Sequence, residues 1–118
     1  MKRNMDLIRE ILFWLEDHDS GMPEVPEHTE EEIGHHCYLL WRAGLIEAAN
    51  SSCMDDDQPQ AIPLSITWDG HEFIDAARDS NLWKLASEKV IGPAGSVSFT
   101  VLLEWLKAEA LKRLGIQP

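Results

Sequence analysis

Eight residues, Leu39-Leu40-Trp41-Arg42-Ala43-Gly44-Leu45-Ile46, restrict the folds open to this chain more than any other stretch. Up to Ala43 the apolar residues recur at helical spacing; Gly44 stops that period, and Leu45-Ile46-Glu47-Ala48 reads as a strand. A returning edge strand follows at Ile62 to Thr67, which alternates around Pro63. Between the strands, Asn50 to Ala61 is polar, carries Asp55, Asp56 and Asp57, and reads as a loop. A helix therefore runs straight into a two-stranded ribbon.

The flanking segments are helical. Residues 4–17 carry Met5, Ile8, Leu12 and Leu15 on one stripe, widened by Leu7, Ile11 and Trp14, with Asn4 as cap and Asp6 in the first turn. Asp17 to Gly21 ends this helix, and Pro23 and Pro26 keep the next stretch extended. Thr29-Glu30-Glu31-Glu32 is a capping box opening a helix to about Ala43, whose buried stripe is Ile33, Cys37, Leu40 and Trp41. Its other side is expected to present Glu30, Glu31, Glu32, His35, His36, Tyr38 and Arg42. Thr67 caps a helix from Trp68 to about Arg78, Ser80 caps another through Lys89, and Ser96 or Ser98 caps a last one to Leu114, closed by Gly115 and Pro118.

Helix, extended stretch, helix, ribbon, helix is the order of a winged helix. The middle helix of the usual three is missing, because residues 18–28 contain two prolines and a glycine. The fold class is α+β: a mainly helical winged-helix-like domain over residues 1–91 with a two- or three-stranded wing. Residues 92–118 add a C-terminal helical extension packed on the same domain.

Three blocks, MKRNMDLIREILFWLE, HHCYLLWRAGLIEA and ITWDGHEFIDAARDSNLW, cover most of residues 1–83. Together they resemble the phage and prophage family called domain of unknown function 2513. The resemblance implies a small winged-helix-like protein often encoded in mobile elements. It supplies no catalytic or binding residues.

Charge bears on what such a domain can bind. The 118 residues hold 10 Lys and Arg against 21 Asp and Glu, a net −11. Between Glu10 and Asp57 there are 13 acids and one base, Arg42. A winged helix reads DNA with the helix before the ribbon, while the wing touches phosphates. Here that helix begins with three carboxylates and the wing carries three aspartates. Like charges about 4 Å apart repel by roughly 1–4 kcal/mol, enough over several pairs to erase the attraction behind non-specific DNA affinity.

The reading reached is a non-enzymatic acidic protein-binding module of phage or prophage type. Glu30, Glu31, Glu32, Asp55, Asp56 and Asp57 form the partner-binding face, with Arg42 as the exception inside it. The expected partner is a basic host protein or complex, such as a nucleic-acid-binding or defence machine countered by charge mimicry. The alternative is a winged-helix DNA-binding transcription regulator that uses Lys2, Arg3, Arg9 and Arg42. Trp14, Trp41, Trp68, Trp83 and Trp105 are expected mostly as core anchors. Val101 and Trp105 give the last helix a second apolar stripe, through which two copies could pair as a homodimer.

Glu32, His35, His36, Cys37 and Cys53 draw attention as metal ligands, but the sequence has neither CxxC nor HExxH, and Cys37 falls on the apolar stripe. His71-Glu72 is read as a local polar contact before an acid–base pair, and Asp55 to Asp57 lack the spacing of a calcium loop. No metal or other cofactor is expected. The longest uncharged run, Val90 to Leu103, is 14 residues and broken by Gly and Pro, so no membrane span is expected. With no secretory signal apparent and only two cysteines, a cytoplasmic location is expected.

Overall fold

In a computed structural model, which describes residues 2–92 and 97–115, the first helix, α1 (Met5–His18), starts where the sequence places it. Asn4 Oδ1 accepts from the Asp6 and Leu7 amides at 3.0 and 3.2 Å. The helix buries Met5, Leu7, Ile8, Ile11, Leu12 and Leu15 and ends with His18 stacked on Trp14. The second helix, α2 (Glu30–Arg42), opens on the expected capping box. The Glu32 amide donates to Thr29 Oγ1 at 3.0 Å, and the Thr29 amide to Glu32 Oε1 at 3.2 Å. It closes through Gly44, whose φ of +82° favours glycine. The Leu45 amide reaches back to the Leu40 carbonyl at 2.9 Å, and the Gly44 amide to the Trp41 carbonyl at 3.0 Å. This paired closure aims the chain directly into a strand, with Leu40 and Leu45 both buried.

The wing has two strands, β1 (Ile46–Asn50) and β2 (Ala61–Ile66), paired antiparallel with an irregularity between Glu47 and Ala48. In place of a third strand stands a single contact, the Gly21 amide donating to the Pro63 carbonyl at 3.1 Å. The chain turns into α3 (Trp68–Ala77) at Thr67. The Thr67 hydroxyl donates to the Gly44 carbonyl at 2.6 Å and accepts from the Gly70 amide at 3.1 Å. One threonine thus ties the start of α3 to the end of α2. A Cβ on Gly70 would land on the Leu45 carbonyl oxygen, so this crossing needs glycine.

The helix α4 (Ser80–Ala86) continues as a π-helical turn, Ser87–Ile91. Its cap is Asp79 and not Ser80: Asp79 Oδ1 accepts from the Asn81 and Leu82 amides. The last helix, α5 (Phe99–Arg113), follows Ser98, whose side chain makes no capping bond. The other candidate cap, Ser96, lies outside the described residues, as do the rest of residues 93–96 and the closing Pro118.

The core is one cluster contributed by every helix, with Phe73 set edge-on to Trp83 (6.1 Å) and tilted against Phe99 (5.3 Å). From α5 it takes Leu102 and Leu106. Val101 remains exposed, while Trp105 is half-buried against the cluster. Trp68 departs from the expected anchoring role, being 79% exposed, with its Nε1 donating to Glu72 at 3.2 Å. The architecture is α+β and winged-helix-like: α2 leads into a ribbon, with α1 and α3 packed behind it. No helix among the described residues is long and apolar enough to cross a membrane.

Candidate acidic face of α2 and the wing

The wing does not hang free. The His35 ring sits beside the loop and donates from Nδ1 to the Pro59 carbonyl at 2.9 Å. Gln60 Nε2 donates to the Glu31 carbonyl at 3.1 Å. The Gln60 side chain lies across α2 at Gly34, where a Cβ would coincide with its Oε1. The loop is closed at its base by Ser52 and Gln60, the Gln60 amide donating to Ser52 Oγ at 2.8 Å and the Ser52 hydroxyl to the Gln60 carbonyl at 3.2 Å. At its tip the Cys53 amide donates to Asp56 Oδ2 at 2.7 Å. Asp56 therefore shapes the turn, whereas Asp55 and Asp57 face solvent.

These contacts put the first turns of α2 and the base of the wing on one edge. Glu30 and Glu31 are exposed at its helical end, and Asp57 stands two residues before Pro59. Among the described residues none of Glu30, Glu31, Asp55 and Asp57 has an ion-pair partner. Glu32 is the structural member of the set. The Thr29 amide, then His28 3.3 Å away, hold its carboxyl below the usual range.

Sequence reasoning missed both buried histidines of α2. His36 is fully buried, and its two ring nitrogens are engaged: Nδ1 donates to the Glu32 carbonyl at 2.8 Å, and Nε2 accepts from the Asn4 amide at 2.9 Å. That pair of bonds fixes one neutral tautomer, and burial pushes its pKa down. His35 is 6% exposed. Neither ring stands on the surface assigned to it above. Their tertiary partners, the Asn4 amide and the Pro59 carbonyl, lie 32 and 24 residues away, beyond the reach of local pattern. Cys37 sits fully buried on the apolar stripe, where burial pushes its thiol up to about 12. Cys53 is exposed on the wing. His71 and Glu72 lie on the outer side of α3, where the Glu72 carboxylate is occupied by Trp68.

Two of the four cations considered for DNA, Arg9 and Arg3, are engaged within the protein itself. Arg9 closes the end of α3: its Nε donates to the Ala77 carbonyl at 2.8 Å, and its guanidinium lies 4.5 Å from the Phe13 ring centre. Arg3 Nη2 donates to the Val97 carbonyl at 2.7 Å. Arg78 grips Glu16 with two bonds of 3.1 and 2.7 Å, and Asp75 with a third. Arg42 is exposed at the far end of α2 from the three glutamates, with its guanidinium 6.0 Å from the Trp41 ring centre. Lys2 is exposed. Arg3 and Arg9 thus serve contacts within the fold, while Lys2 and Arg42 stand exposed.

Comparison with known proteins places the chain in a family. A family model described as "Hypothetical protein (DUF2513)" matches residues 2–96. A protein of Haemophilus influenzae, described as uncharacterized, is 38% identical over 88 residues, which cover 70% of this chain and 73% of that one. No solved structure matches. With its wing, α2 and most of its core inside the matched span, the chain belongs to the domain of unknown function 2513 family of hypothetical proteins.

Proposed function

We propose that this chain is a non-enzymatic, cytoplasmic protein-binding module that engages a basic protein through the edge formed by the start of α2 and the wing. One observation carries the reading: the bonds from Gln60 to Glu31 and from His35 to Pro59 hold the wing against the acidic end of α2. The base of the wing, with Asp57 two residues before Pro59, thereby meets the helical end that carries the exposed Glu30 and Glu31, Asp55 extends the acidic run toward the wing tip, and the sequence has no Lys or Arg between Arg42 and Arg78. In a winged helix these two elements face the nucleic acid. A carboxylate surface there suits the proteins that themselves bind nucleic acid, whose basic patches it would occupy by charge likeness. A phage or prophage setting, with a host nucleic-acid-binding or defence complex as partner, is the biological form of this proposal.

The test uses a purified basic DNA-binding protein of the nucleoid type, titrated with the chain at 50 and 200 mM salt. Binding that weakens steeply with salt and is lost in the quadruple variant Glu30→Gln, Glu31→Gln, Asp55→Asn, Asp57→Asn supports the reading. Binding unaffected by the four substitutions, or none at low salt, refutes it.

A further inference from the structure

A groove of about 590 Å³ opens beside the acidic edge, lined by Met22, Glu24, Pro26, His28 and Glu30 around a floor of Pro23, Val25 and Ile33. It belongs to the segment that stands where the middle helix of a winged helix would be. Its volume falls in the range of clefts that hold a discrete ligand. The floor is apolar and buried, with Val25 at 7% and Ile33 at 4% exposure. The rim is anionic: Glu24 and Glu30 are exposed, and neither has an ion-pair partner among the described residues. Met22, Pro23 and Glu24 also make no backbone–backbone hydrogen bond there, so the amides of Met22 and Glu24 and three carbonyls remain for an incoming chain. Two prolines hold this wall in shape, which lowers the ordering cost of binding.

We infer that the groove takes a short peptide segment of the basic partner, with one aliphatic side chain on the Pro23–Val25–Ile33 floor and a neighbouring Lys or Arg between Glu24 and Glu30. The inference rests on the protein-binding reading above and names the element of the partner that is recognised. An apolar floor demands an apolar anchor, and the two exposed carboxylates of its lining, Glu24 and Glu30, favour a cation beside it. A purely basic segment would satisfy only the rim. A purely apolar one would leave both carboxylates partly desolvated and unpaired, which disfavours it.

The test titrates the isotope-labelled chain with the acetylated, amidated hexapeptide Leu-Arg-Leu-Lys-Leu-Arg, and with Gly-Arg-Gly-Lys-Gly-Arg, which has the same charge and no anchor. The expected result is saturable shifts of the Glu24, Val25, His28 and Ile33 amides. Affinity should be roughly tenfold weaker for the glycine peptide, the least that losing one buried leucine side chain implies. Glu24→Arg should weaken the leucine peptide by a similar factor; its side chain is exposed, so the fold is not at risk. Equal affinity for the two peptides overturns the inference, as do shifts confined to residues 53–60. Absence of peptide binding while the chain still captures the basic protein overturns the groove and leaves the module intact. Failure of the basic-protein titration refutes the module itself.

Discussion

Replacing Gly34 with Ala should separate the stability of the domain from the attachment of its wing. Gly34 lies in the interior of α2, where alanine is favoured over glycine by about 0.8–1.0 kcal/mol. Against this, the new Cβ takes the place of Gln60 Oε1, the end of a flexible side chain that must swing away. That movement removes the 3.1 Å bond from Gln60 to the Glu31 carbonyl, a net loss of about 0.5–1.5 kcal/mol. The two effects nearly cancel, leaving the unfolding free energy within roughly 0.7 kcal/mol of the parent. The wing, however, loses one of its two ties to α2. Denaturant unfolding should therefore show an almost unchanged midpoint, while amide exchange at Ser52, Cys53 and Gln60 quickens by about two- to tenfold, the effect of losing that bond locally. A destabilisation above about 2 kcal/mol would mean that backbone, and not a side chain, has to move. Unchanged wing exchange would mean that Gln60 does not hold the wing. Either result refutes the reasoning.

Three further outcomes follow from the same geometry. Gly70→Ala should cost about 2–3 kcal/mol in denaturant unfolding, because its Cβ meets the Leu45 backbone carbonyl and comes within 2.7 Å of Ile66 Cγ2, neither of which can swing aside like Gln60. Stability should fall as pH drops below about 6.5. The unfolded chain binds a proton on His36 that the folded chain refuses, at up to about 1.4 kcal/mol per pH unit until the lower folded pKa is reached. Urea midpoints at pH 7.5 and 5.5 should show this drop, and His36→Gln should reduce it. At pH 8 an aromatic disulfide reagent should titrate one thiol per chain rapidly, that of Cys53, while Cys37 reacts only on unfolding. Two fast thiols would contradict the burial of Cys37.

The parts of this fold that were legible in the sequence are those whose partners are near in the chain. Asn4 caps α1 from two and three residues away, Thr29 and Glu32 answer each other across one turn, and Gly44 ends α2 within six residues. Such bonds leave a fixed spacing in the sequence. His36 leaves no comparable sign, because its second ring nitrogen is satisfied by the Asn4 amide from another helix. Arg9 reads as a free cation on α1 until α3 brings the Ala77 carbonyl to it, 68 residues on. Trp68 reads as a core anchor by its type, yet it occupies the first, outward turn of α3. Asp79 and Ser80 are both good caps, and sequence alone does not decide between neighbours. The acidic composition of α2 and the wing was plain. Their attachment to one another was not, because it depends on Gln60, an ordinary loop glutamine, crossing a glycine that resembles a simple weakness in a helix.

The most direct test of the central claim, that the face a winged helix gives to DNA here repels it, is a titration of the chain with a fluorescent 20-base-pair duplex at 50 mM salt. The account predicts no change in anisotropy up to tens of micromolar chain, and release of the same duplex from a nucleoid-type basic protein as the chain is added. Saturable binding of the duplex by the chain alone, abolished by Arg42→Ala, would contradict it.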